Sequence, residues 1–157
     1  MTSLQHSGTT RWGSHFALVV SMINMFSATC EVLEHISEKG SNTQSQVEAE
    51  GALESITTFQ FVFSMHLMKA IMNLTTILCE VFQKESVDIL SALGLVSATK
   101  TRLQKLRDEG WEPLIQEVTF FCSKHAVKIP DLKEKVGRGK NTMTFEHLYH
   151  FEYFNQS

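Results

Sequence analysis

Arg11 and Trp12 stand side by side directly before an uncharged run, a cation next to a large π face. That pairing suits nucleic acid: the guanidinium can hold a phosphate while the indole stacks on an unpaired base, a contact worth about 1–3 kcal/mol per base. Taken alone, the same pair is better explained as a Trp that staples the start of an apolar helix to its neighbours. A second cationic group, Lys133, Lys135, Arg138 and Lys140, is interleaved with Gly137 and Gly139. It has the composition of a loop that would neutralise phosphates without reading a sequence. Two further pairs have metal-ligand spacing, Cys122-x-x-His125 and His147-x-x-His150. Neither has a partner pair, and Cys122 falls on the apolar side of its segment, where it serves equally well as a small buried hydrophobe. No metal site is assigned.

Hydrolytic centres that hold two metal ions need several convergent carboxylates. Only three aspartates are present. Asp88 reads as a helix-start residue, Asp108 as part of a solvated helix end and Asp131 as the residue after Pro130. A Gly-rich phosphate loop, a G-x-S-x-G elbow and an H-E-x-x-H run are all missing from the sequence. The expectation is a protein that is not an enzyme, with no cofactor and no small-molecule substrate.

The elements that must position Arg11, Trp12 and the basic group are helical. The 157 residues are 43% hydrophobic and 20% charged, close to the globular average, and two prolines with eight glycines leave long stretches open to helix. The fold class expected is all-α. Phe16, Val19, Ile23, Phe26, Cys30 and Leu33 recur at steps of three and four and predict a helix from Ser14 to Ser37, with Gly40 as its stop. Ser45-x-x-Glu48 reads as a capping box opening a helix that is apolar nearly all round and runs to about Phe82, with a break expected near Asn73 to Thr76. Another helix is expected from Ser86, with Asp88 in its first turn, to Gly110, and one from Glu112 to His125, with Pro113 in its first turn.

The organisation is therefore a lead-in over 1–13 carrying the Arg-Trp pair, a bundle of about five helices over 14–130, a basic loop over 131–144 and an aromatic tail over 145–157. The tail's hydrophobic period fits strand and helix alike. Residues 12–30 carry no charge and are long enough to span a bilayer, but Gly13, Ser14, His15, Ser21, Asn24, Ser27 and Thr29 interrupt them, so a buried globular helix is expected and no membrane partner.

Charge is unevenly spread. Residues 1–99 hold four basic and nine acidic side chains, whereas residues 100–140 hold ten basic and six acidic ones. The second half is where an anionic partner would dock. Three well-separated cysteines cannot form a closed disulfide framework, and residues 1–10 contain no Lys or Arg for a signal-peptide n-region. A nuclear or cytoplasmic location is expected.

Several segments in order resemble transposases of the hAT superfamily and their domesticated relatives, most nearly the plant proteins described as MYM-type or TTF-type zinc finger proteins. They are Thr10-Arg11-Trp12-Gly13-Ser14-His15, Met25-Phe26-Ser27, Val32-Leu33-Glu34 and the stretch Phe61 to Lys69. Leu103-Gln104, Leu106 to Trp111, Val118, Phe121-Cys122, Lys124-His125 and Ile129-Pro130 continue the similarity over roughly residues 9 to 150.

The resemblance implies that this chain corresponds to the helical domain inserted between the second and third acids of a ribonuclease-H-like catalytic domain. It assigns Arg11 and Trp12 to the entrance of that insertion, where the Trp stacks on a base extruded during DNA hairpin formation. The acids, the name-giving zinc finger and the dimerisation region would lie outside the residues present. Where the family continues with a His-His-Tyr-Arg type segment, this chain has His147-Leu148-Tyr149-His150-Phe151 and ends at Ser157, which suggests a truncated gene model or a decayed element. Two functions follow as expectations: a catalytically inactive fragment with weak, salt-sensitive DNA contact, and a helical module that docks a protein partner through exposed apolar helices.

Overall fold

The apolar arc over residues 16–36 is too wide for one straight helix lying on one neighbour, and the chain resolves this by bending. In the computed structural model, which describes residues 11–82, 88–136, 143–144 and 149–150, the expected first helix is two, α1 (Arg11–Asn24) and α2 (Phe26–Lys39). They meet at Met25 with a 75° bend. The backbone ladder crosses the corner, Met25 N–H donating to Ser21 O and Thr29 N–H to Met25 O, each at 2.8 Å. Bending lets α1 lie along the central helix while α2 swings away to pair with the next one.

That next helix, α3, spans Thr43–Ile56. Its cap is Asn42 rather than the Ser45 box: Asn42 Oδ1 accepts from Ser45 N–H at 2.8 Å, and Ser45 Oγ donates back to Asn42 O at 2.9 Å. An Asx cap three residues earlier satisfies the same orphan amide that the predicted box would have served. Gly40 ends α2 as expected, though with φ −56° and ψ 151° rather than a left-handed turn. Its lack of a side chain is still required, because a Cβ there would stand 2.6 Å from Ile36 O.

The expected break near Asn73 to Thr76 does not occur. It falls instead at Thr57 and Thr58, where the Thr57 hydroxyl donates to Leu53 O at 2.7 Å and the Thr58 hydroxyl to Ser55 O at 2.8 Å, so α4 begins at Phe59 and runs unbroken to Phe82. Thr75 and Thr76 are accommodated inside α4 by donating back to Ile71 O and Met72 O. Such back-bonding lets a hydroxyl residue sit mid-helix without ending it.

α5 (Ile89–Glu109) opens on Asp88 as its cap, whose Oδ2 accepts from both Ser91 N–H and Ser91 Oγ at 3.0 Å. Gly110 closes α5 and opens α6 (Trp111–Lys124), a corner so tight that a Cβ would collide with Leu106 O. Beyond α6, β1 (Lys135–Val136) pairs antiparallel with β2 (Met143–Thr144), Lys135 opposite Thr144. Among the described residues the architecture is thus all-α with six helices and one two-residue ladder, α1, α5 and α6 packing on α4 and α2 packing on α3.

Phe26, Val62, Phe63, Val118 and Cys122 are fully enclosed and mark the centre of the core. Phe63 meets Trp111 at 5.9 Å and Tyr149 at 5.1 Å, and Tyr149 also meets Phe59 edge-on at 5.7 Å. Phe26 reaches across from α2 to Phe121 at 5.1 Å. Each such buried aromatic contributes about 1.5–3 kcal/mol through burial alone. At 24 residues α4 is also long and apolar enough to cross a bilayer, a test that the core helix of a soluble protein passes as well.

Candidate functional site

Arg11 is the first residue of α1 and Trp12 the second, so the pair opens the helix, while both side chains lie outside the described residues. Lys133 is exposed in a turn that Asp131 organises, its Oδ1 accepting from Lys133 N–H at 2.9 Å. Lys135 sits in β1 with its side chain likewise outside the description, and Arg138 and Lys140 are outside the described residues altogether. Of the six residues expected to touch nucleic acid, only Lys133 has a described side chain.

The two metal-like pairs are taken up by packing wherever they are described. Cys122 is fully enclosed, and burial pushes its thiol up to about 11. His125 Nδ1 lies 3.0 Å from Ser27 Oγ, and its ring tilts against Phe121 at 4.3 Å and meets Phe26 edge-on at 5.2 Å. His150 meets Trp111 edge-on at 5.1 Å, and His147 lies outside the described residues. Among the described residues no three His, Cys, Asp or Glu side chains converge on a metal position.

A titratable cluster that the sequence reading missed joins α4 to α6. His66 is 3% exposed in the middle of α4, and Glu117 Oε1 of α6 approaches its Nδ1 to 3.1 Å. The approach is out of line for a hydrogen bond, which leaves both ring nitrogens of His66 without a hydrogen-bond partner among the described residues. The same Glu117 oxygen accepts from Lys69 Nζ at 2.9 Å. Burial lowers the His66 pKa against the opposing pull of Glu117. For Glu117 burial pushes upward, but Lys69 and His66 outweigh it and hold the carboxyl below its ordinary value. The cluster borders a cavity of about 320 Å³ that Phe16 of α1 helps to close. One signal was available: His66 and Lys69 are three apart and so share a helix face. Nothing in sequence pointed to Glu117, 48 residues beyond Lys69.

The other feature is apolar. Where α4 ends and α5 begins, Phe82 is 51% exposed, Ile89 75%, Leu90 78% and Leu93 61%, with Ile77 of α4 also 51% exposed. Single exposed apolar side chains are ordinary, but several at one end of a helical hairpin mark a surface that another surface can cover. The chain matches no family model and no solved structure.

Proposed function

We propose that this chain is a helical docking module, equivalent to the inserted helical domain of the hAT-type transposases it resembles. It works by packing the α4–α5 end onto the apolar face of a partner helix rather than by catalysis. The observation that carries this reading is the group Phe82, Ile89, Leu90 and Leu93, each more than half exposed at the same end of the hairpin. Covering such side chains yields about 25 cal/mol per Å² of apolar surface removed from water, the usual driving force for association.

Replacing Ile89, Leu90 and Leu93 together by Ser tests it. The wild type should bind a dye that reports exposed apolar surface and should associate with rising concentration in sedimentation, and the triple variant should lose both while keeping its helical circular dichroism. A wild type that stays monodisperse at high concentration and leaves the dye dark would end this reading.

DNA contact is the second reading, supported by Arg11 and Trp12 opening α1, where the positive end of the helix dipole also favours phosphate. A salt series with a labelled DNA hairpin carrying an unpaired base, set beside intact duplex, tests it. Binding should fall steeply with salt and prefer the hairpin, and Arg11→Ala/Trp12→Ala should erase the preference. Equal binding of hairpin and duplex by the wild type would refute the stacking role.

A further inference from the structure

The Gly110 corner brings α4, α5 and α6 together around an open groove of about 570 Å³. Its floor is apolar, made by Ala70 and Leu74 of α4, Leu106 of α5 and Pro113 and Leu114 of α6. Four charged side chains stand at its lip: Arg102, Lys105, Glu109 and Glu117. Three of them are already engaged. Lys105 Nζ faces Glu109 Oε2 at 3.7 Å, and Glu117 is held by Lys69. Arg102 has no ion-pair or hydrogen-bond partner among the described residues.

We propose that this groove binds a small amphipathic carboxylate, its hydrocarbon body on Leu74, Leu106 and Leu114 and its single anionic group on Arg102. The volume lies within the roughly 300–1,000 Å³ of small-molecule sites, and a position between the helices of a bundle is a common one for them. The charge count selects the head group. With the two carboxylates at the lip already neutralised by lysines, the Arg102 guanidinium leaves one uncompensated positive charge. A planar guanidinium fork matches a carboxylate in two parallel hydrogen bonds, whereas an alcohol or amine head gains nothing equivalent. An apolar floor, three charged side chains already paired at the lip and one free cation therefore specify a monoanion with an apolar tail.

Decanoate is the probe, with decanol and decyltrimethylammonium as matched tails bearing neutral and positive heads. Titration followed by calorimetry and by methyl shifts in the full chain should show saturable one-to-one decanoate binding that moves Leu74, Leu106 and Leu114, with decanol weaker and the ammonium weakest. Arg102→Met should weaken decanoate on the order of tenfold and leave decanol unchanged, since a hydrogen bond to a charged group is worth more than a neutral one. Arg102 is on the surface, so its variant should fold normally, and Ala70→Trp, which fills the floor, should remove both ligands. Binding confined to Ile89, Leu90 and Leu93 with no preference among heads would overturn the proposal. So would equal affinity of wild type and Arg102→Met for decanoate, or occupancy of the groove by an acidic amphipathic peptide while decanoate fails to bind. The site is separate from the α4–α5 end, and the Ile89, Leu90 and Leu93 triple variant should bind decanoate as the wild type does.

Discussion

The two halves of α4 are almost equally apolar and have opposite fates. From Phe59 to Met72 seven side chains are buried, whereas from Asn73 to Phe82 none is, and Ile77 and Phe82 stand half in solvent. The first half meets α6 through Glu117 and Phe121 and meets Tyr149 through Phe59 and Phe63. The second half extends past those partners. Hydropathy along a helix records what could be buried; which residues are buried depends on where the neighbouring helices end.

The sharpest way to break that comparison is to truncate an aromatic in the enclosed half. Phe63 is wholly buried between Trp111 and Tyr149, and Phe63→Ala should cost about 3–5 kcal/mol, from lost transfer energy and the cavity left behind. The midpoint of a urea titration followed by circular dichroism measures it. A loss below about 1 kcal/mol would mean that the core around Phe63 is not closed.

Acid should weaken the enclosed half next. The folded-state pKa of His66 lies below its ordinary 6.5, so the unfolded chain takes up that proton first. The contribution is complete above pH about 6.5 and is lost as the pH falls below it. Glu117, also lowered, loses its contribution only further down, as the pH falls below its ordinary 4.5 toward its folded value. His125, lowered by burial and by Lys124, adds to the first step. Urea midpoints at pH 7.5, 6 and 5 should therefore decline in wild type and decline less in His66→Gln. Parallel profiles for the two proteins would show that His66 titrates alike in folded and unfolded chains.

How much of this was legible in the sequence depends on the range of the interaction. The scarcity of proline and glycine gave the all-α class, and Asp88, Gly110 and Pro113 marked real helix ends, because caps and breakers act within one turn. Breaks inside apolar runs leave no such local mark. The runs over 16–36 and 55–82 carry the same periodic signal throughout, and the actual breaks at Met25 and Thr57–Thr58 are set by which neighbour each half reaches and by threonine hydroxyls that cap as readily as they back-bond. The cluster of His66, Lys69 and Glu117 and the groove at Gly110 come from contacts across α4, α5 and α6, which no local pattern encodes. The cap at Asn42 gives a small, direct check of the local rules: Asn42→Ala should cost about 1 kcal/mol, and Ser45→Ala distinctly less, because the Asn42 side chain is what accepts the Ser45 amide. The reverse order would restore the capping box read from the sequence.

The smallest expected effect tests the open half. Phe82 closes α4 with half its surface in solvent, so Phe82→Ser removes little burial from the monomer and should change the unfolding free energy by no more than about 0.5 kcal/mol. The same substitution in α4's first half would place a hydroxyl in the core and cost several kcal/mol, so the ratio of the two measures how differently one continuous helix is used along its length. If the docking reading holds, Phe82→Ser lowers dye binding and self-association even though the fold is unmoved. A drop of more than about 2 kcal/mol in the dilute monomer would instead place Phe82 in an intramolecular contact. The unequal halves of α4 would then be one continuous core, with no free surface at the α4–α5 end for a partner to cover.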